Sequence, residues 1–195
     1  QIDVDACTQS GVLVVNQTGG NAEGVAEHAV GMILNLFKRI GECDHALRRG
    51  WNEPRVSLMG KDLLNKNVGI IGLGNTGGRV AEICKVAFNC NILAYDPYLS
   101  EETFKKKHAS KTELDILLSE SDVVSVHIPL NKETNNMINK DWFKKMKKGS
   151  YFVTTSRGSI HNEDDLYNTL IEGHLAGAGL DCLLYTSPSP RDCRL

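Results

Sequence analysis

The chain has 195 residues, of which 41% are hydrophobic and 24% charged, a balance that suits a soluble globular protein of one or two domains. A formal net charge of −2 offers no basic surface to nucleic acid or an anionic membrane, and no run reaches the roughly 18 apolar residues of a membrane span. Six cysteines with no C-x-x-C pair and no metal-ligand spacing read as free thiols in a reducing, cytoplasmic compartment, with no metal site expected.

In chain order, the apolar run Val12-Leu13-Val14-Val15 within 11–16 predicts a buried strand, and Gly19-Gly20-Asn21 a turn. Val25, Ala29, Met32, Ile33, Leu36, Phe37 and Ile40 recur at helical spacing. They predict one helix of about 25 residues ending near Gly50, with Gly41 as its weak point. A loop containing Pro54 leads to a strand over 67–72. Helices follow at 76–88, near 112–119, and at 139–146 and 163–172. Strands fall at 91–95, 122–128 and 151–155, with a glycine-rich one at 175–181. The lysine clusters at 105–107 and 144–148 read as solvated helix ends. Apolar strands alternating with helices specify an α/β protein, a Rossmann-type doubly wound parallel sheet covered on both faces.

The most informative stretch is Val68-Gly69-Ile70-Ile71-Gly72-Leu73-Gly74-Asn75-Thr76-Gly77. A short apolar strand ends in glycines at G-x-G-x-x-G spacing, a helix follows, and the next strand closes on Asp96 about twenty residues later. Gly72 permits the tight turn, Gly74 lets backbone approach a pyrophosphate, and Gly77 lets the helix pack closely on the strand. The helix start offers free N–H groups to phosphate, and Asp96 can accept hydrogen bonds from a ribose. A 2′-phosphate would be repelled by Asp96 and has no cation beside it before Lys105, so NAD is favoured over NADP.

Ligands on such sheets sit at the carboxyl ends of the strands. Gly72–Gly77, Asp96, His127–Pro129, Ser156–Arg157 and Asp181 all fall there, which predicts one cleft. Arg157 in Thr154-Thr155-Ser156-Arg157-Gly158 could grip a carboxylate through two parallel hydrogen bonds and polarise a neighbouring carbonyl oxygen. Position alone leaves this reading level with that of a surface arginine in a turn.

Taken together, Asn21-Ala22-Glu23-Gly24-Val25-Ala26-Glu27-His28-Ala29-Val30-Gly31, the Gly72–Gly77 turn, His127-Ile128-Pro129 and Ser156-Arg157-Gly158 resemble the D-isomer-specific 2-hydroxyacid dehydrogenases, nearest the phosphoglycerate dehydrogenase-like branch. The resemblance covers about residues 1–181 and implies hydride transfer between NAD and a 2-keto or D-2-hydroxy acid. It implies Arg157 as the catalytic arginine on the substrate carboxylate and keto oxygen. Asn75 and Thr76 would lie under the pyrophosphate, with Asp96 on the ribose and Ile128 and Pro129 along the adenosine. Thr134 would approach from the following loop, and Thr155, Ser156, Arg157 and Asp181 would flank the nicotinamide. The helix beginning at Asn21–Glu27 would pass between two domains and join a homodimer interface. Transcriptional corepressors of the C-terminal-binding type and formate dehydrogenases resemble the same family and are the alternative readings.

The resemblance also bears on domain organisation. It implies a remnant of a substrate domain at 1–20, an interdomain helix at 21–50 and an NAD-binding domain at 51–181 lacking its final strand. The family's catalytic Glu and His would follow Asp181, but the expected Glu position is Thr186, and none of the six histidines has the context of the catalytic one. Residues 182–195, with Pro188 and Pro190 and no helical or strand period, resemble a translated sequencing adaptor and read as a non-native tail. The chain is therefore expected to be a fragment, inactive by itself.

Overall fold

The computed structural model describes residues 2–52 and 54–182, so the expected tail, apart from Cys182, lies outside the described residues. Six strands form one sheet: β1 (Asn67–Ile71), β2 (Asn91–Tyr95), β3 (Ser110–Lys111), β4 (Val123–Val126), β5 (Tyr151–Thr154) and β6 (Gly177–Leu180). Their order is β3-β2-β1-β4-β5-β6, and every neighbouring pair is parallel. This is the doubly wound Rossmann order, with its reversal between β1 and β4. All four residues of β4 and of β5 are buried, which is why these strands show continuous apolar runs rather than alternation.

Helices cover both faces. On one side lie α2 (Ala22–Lys38), α4 (Asn75–Phe88) and α5 (Glu101–Lys106), whose Ala29, Ile33, Phe37, Val80, Ala81 and Phe104 belong to one core cluster. On the other lie α6 (Leu114–Glu120), α7 (Lys140–Lys145) and α8 (Glu163–Ile171), which contribute Leu117, Leu118, Phe143 and Leu166 to a second cluster. Small residues let α2 lie close on the sheet. A Cβ at Gly177 would stand 3.1 Å from Leu36 Cδ2, and one at Gly179 would stand 3.0 Å from Met32 Cβ. Among the described residues no helix is long and apolar enough to cross a membrane.

Three local features differ from the sequence reading. A short helix, α1 (Val4–Gln9), precedes the run at 11–16, and that run is no strand: it is irregular, and Leu13 and Val15 are 86% and 79% exposed. β-branched residues favour extended backbone, but a strand also needs a neighbour for its N–H and C=O groups, and none pairs with it among the described residues. The single long helix is two, α2 and α3 (Ile40–Arg48), broken at Arg39 in the left-handed region at φ 54°. The break falls two residues before the glycine expected to weaken it. Asn35 explains the offset, since its side-chain oxygen accepts the Gly41 N–H at 2.8 Å and caps the new helix. Finally, α5 and β3 carry no period in the sequence, and only the lysines at 105–107, read as a helix end, point to α5, because one buried apolar residue, Phe104, anchors α5 and two residues make up β3.

Candidate functional site

The glycine turn joins β1 to α4 at the point where the strand order reverses. Gly72 sits at φ +86° and donates its N–H to the Tyr95 carbonyl at 3.0 Å, tying the end of β1 to the end of β2. A Cβ at Gly77 would lie 2.1 Å from the Gly72 carbonyl oxygen, so only glycine lets α4 start this close to the turn. Gly74 is different: a Cβ there would meet nothing within 4 Å. It opens onto free space at the start of α4, and no side chain caps that helix end. Uncapped N–H groups at the positive end of a helix beside open space make an anion-binding geometry.

Asp96 closes the other side of the turn. One carboxylate oxygen accepts the Leu73 N–H and the other the Tyr98 N–H, each at 3.0 Å. Each oxygen keeps a lone pair for a further donor. Lys107 leaves the solvated cluster expected for it and donates from Nζ to the Gly74 carbonyl at 2.6 Å, bracing the turn from α5's end.

Two cavities open at the carboxyl ends of the strands, and Ile128 and Pro129 line both. The first, about 320 Å³ and mostly apolar, is bounded by Gly72, Gly74, Asp96, Tyr98, Thr134 and Met137. Thr134 shapes its wall by donating to the Pro129 carbonyl at 2.7 Å and accepting the Asn131 N–H at 2.8 Å. The second, about 470 Å³, is bounded by Asn21, Thr76, His127, Thr155, Ser156 and Arg157. Ser156 is held there by its hydroxyl, which donates to the Val126 carbonyl at 3.0 Å. Arg157 is exposed at the cavity rim, with Nη1 donating to the Ser156 carbonyl at 3.2 Å.

His127 lies between the two cavities and lines both. Its Nε2 is 2.9 Å from Ser125 Oγ and its Nδ1 is 3.1 Å from Thr155 Oγ1, so it links β4 to the end of β5. Burial pushes its pKa down to about 4, which keeps the ring neutral. With both nitrogens engaged it is poorly placed to shuttle a substrate proton. His161 does not reach either cavity: it is 1% exposed and packs against the Phe152 ring at 5.8 Å.

The sequence-derived residues thus separate into groups. Gly72, Gly74, Asp96 and Thr134 line the first cavity and Thr76, Thr155, Ser156 and Arg157 the second, with Ile128 and Pro129 on both. Gly77 is a packing residue beneath the turn. Asn75 faces a third recess between α2 and α4, with Gly19 and Arg79. Asp181 lines none of them; its N–H donates to the Thr154 carbonyl at 3.0 Å and its side chain accepts the Cys182 N–H at 2.8 Å. The start of α2 is fixed over α4 by Glu23, whose carboxylate takes Nε of Arg79 at 2.8 Å and its Nη2 at 2.8 Å. That guanidinium holds the Glu23 carboxyl below its usual range. His127 stands at the cleft where its strand-end position puts it, whereas Lys107 is not legible as a site residue in the sequence, since its role depends on a partner distant in the chain.

Known proteins place this geometry in context. A family described as "D-isomer specific 2-hydroxyacid dehydrogenase, NAD binding domain" matches residues 30–195. D-3-phosphoglycerate dehydrogenase of Archaeoglobus fulgidus is 42% identical over 189 residues, covering 97% of this chain and 36% of that protein. Hydroxypyruvate reductase of Thermotoga maritima is 37% identical and is covered over 60% of its length. The crystal structure of D-lactate dehydrogenase from Aquifex aeolicus, complexed with NAD and lactic acid, superposes with a TM-score of 0.83 at 37% identity, over 94% of this chain and 54% of that one. The chain therefore spans about a third to three fifths of these relatives.

Proposed function

Because this chain belongs to the D-isomer specific 2-hydroxyacid dehydrogenase family, we propose that it forms the NAD-binding part of an oxidoreductase acting on the CH–OH group of a small D-2-hydroxy acid. The observation that carries this reading is the pair of cavities meeting at Ile128–Pro129, one holding the glycine turn and Asp96, the other Arg157. The residues fit the cofactor: open space at Gly74, an uncapped helix start and a carboxylate with free lone pairs answer to a pyrophosphate and a ribose.

In this reading the backbone N–H groups of Asn75 and Thr76 at the start of α4 hold the pyrophosphate, Asp96 the adenosine ribose, and Ile128, Pro129 and Thr134 the adenosine wall. Thr155 and Ser156 flank the nicotinamide, with Asp181 behind them at the end of β6. NAD, when bound, supplies the acceptor or donor of hydride. Arg157 binds the substrate carboxylate and stabilises negative charge on the reacting oxygen through its fixed fork of donors. Among the described residues the histidine lining the two cavities is His127, and both its ring nitrogens are engaged, so we propose that this chain alone does not turn over.

Residues 1–20 read as part of a substrate domain and 21–50 as the connection between domains. The exposed apolar residues Ile40, Leu47, Val56 and Met59, on α3 and the loop after it, suit a homodimer surface.

Titration calorimetry of the chain with NAD and NADP tests the cofactor assignment. Saturable NAD binding, at least about tenfold tighter than NADP, is expected, and Asp96→Ala should weaken it by about tenfold. Equal affinity for the two nucleotides, or none for NAD, overturns the assignment. In the longer parent, Arg157→Ala should abolish most NADH-linked reduction of hydroxypyruvate or glyoxylate; unchanged turnover removes Arg157 from catalysis.

A further inference from the structure

The hydroxyl of Ser125 is fully buried. Among the described residues its one hydrogen-bond partner is His127 Nε2, at 2.9 Å. A buried hydroxyl that fails to donate leaves its proton unsatisfied, at a cost larger than the net worth of the bond. The Ser125 O–H must then point at Nε2. A neutral imidazole carries one proton, so with Nε2 accepting, that proton is on Nδ1. Nδ1–H in turn points at Thr155 Oγ1, 3.1 Å away. Thr155 Oγ1 is thereby an acceptor toward the ring, and its own O–H has no other acceptor among the described residues. Thr155 lines the same cavity as Arg157.

We propose that His127 is a positioning residue: the one-way relay Ser125 O–H to His127 to Thr155 fixes the Thr155 hydroxyl as a donor into the cavity, where it binds the carboxamide oxygen of the nicotinamide. The proposal rests on the NAD reading above and adds to it a direction of hydrogen bonding that the fold enforces. Reversing the relay would strand the Ser125 proton, so the polarity is built in by burial rather than chosen by the ligand. His127, though it lines both cavities, acts here through Thr155 and moves no proton in the reaction.

Two measurements test this separately from the NAD reading. Nitrogen-15 NMR of the histidine-labelled 195-residue chain, without nucleotide, reports the tautomer of His127. A protonated Nδ1 with a pyridine-type Nε2 is expected, and the opposite tautomer overturns the proposal. Ser125→Ala should release this preference.

The second measurement compares binding of NAD and thionicotinamide adenine dinucleotide, whose sulfur is a poor acceptor. The unaltered chain should favour NAD by roughly five- to tenfold. Thr155→Val should erase that preference and Thr155→Ser should keep it. A preference that survives Thr155→Val overturns the proposal and leaves NAD binding standing. Failure of the unaltered chain to bind NAD at all overturns the underlying reading, and the nicotinamide assignment with it, whatever the tautomer.

Discussion

At the scale of single residues, the site depends on groups whose identity is dictated by partners far away in the chain. Gly77 has a backbone oxygen 2.1 Å from where its Cβ would stand, the Gly72 carbonyl, while Gly74 faces open space. The motif therefore combines a packing residue and a ligand-approach residue, in the places the G-x-G-x-x-G spacing gives them. His127 marks a limit of such reading. Its sequence neighbours place it at the end of a strand in the cleft; what its ring does depends on Thr155, just past the end of β5. Its depressed pKa, about 4 against an ordinary 6.5, makes stability depend on pH. Above pH 6.5 the ring is neutral in both folded and unfolded chains and contributes no dependence. As pH falls from 6.5 toward 4 the unfolded chain takes up a proton that the folded chain refuses, and stability drops. A shift of this size corresponds to at most about 3 kcal/mol, fully lost below pH 4. Urea melts of the chain and of His127→Gln at pH 7 and pH 4.5 check this: the loss on acidification should be smaller in the variant by about 2 kcal/mol.

At the scale of elements, long periodic segments were legible and short or paired ones were not. The strand–turn–helix unit from 67 to 88 and the strands β4 and β5 declare themselves through apolar runs bounded by glycine and polar residues. By contrast α5 and β3 are too short to show a period, and the run at 12–15 has the composition of a strand without a neighbour to pair with. The division of α2 from α3 turns on a side chain, Asn35, accepting the Gly41 N–H. Helix α2, which connects domains in the family reading, is also a layer of this domain. Phe37 is 1% exposed and its ring centroid lies 4.8 Å from that of Tyr151 on β5. Phe37→Ala should therefore destabilise the chain by about 3–5 kcal/mol. A denaturant midpoint unchanged by this substitution would show that α2 is not part of the cooperative core.

Across the whole molecule, fold class and site location could be read early because both follow from one rule. In a parallel doubly wound sheet, whatever is polar or glycine-rich at the strand ends shares one crevice. Gly72, Asp96, His127 and Arg157, spread along the chain, come to that end of the sheet for this reason, though in two adjoining cavities rather than one cleft, and Asp181 lines neither. Surface relations were less legible. Ile40, Leu47, Val56 and Met59 occupy helical or loop positions that periodicity treats as core or neutral, yet each is more than half exposed. An exposed apolar set of this kind is expected at an interface between subunits. Light scattering after gel filtration should find the chain self-associating at tens of micromolar, on the order expected for modest interfaces, and Leu47→Glu should return it to a monomer. A chain that is monomeric before the substitution rules out α3 as the homodimer surface.

The hydrogen bond from the Leu73 N–H to Asp96 carries a lesson for anyone seeking to change which nicotinamide nucleotide this site accepts. The obvious route is to delete the acid and supply a cation for a 2′-phosphate. Here the acid is also a brace for the loop it serves, so deletion frees a backbone donor inside the turn and loosens the cradle for either nucleotide. Asparagine at that position would remove the charge and still offer an oxygen to Leu73. Selectivity and rigidity share one side chain, and a successful redesign has to replace both.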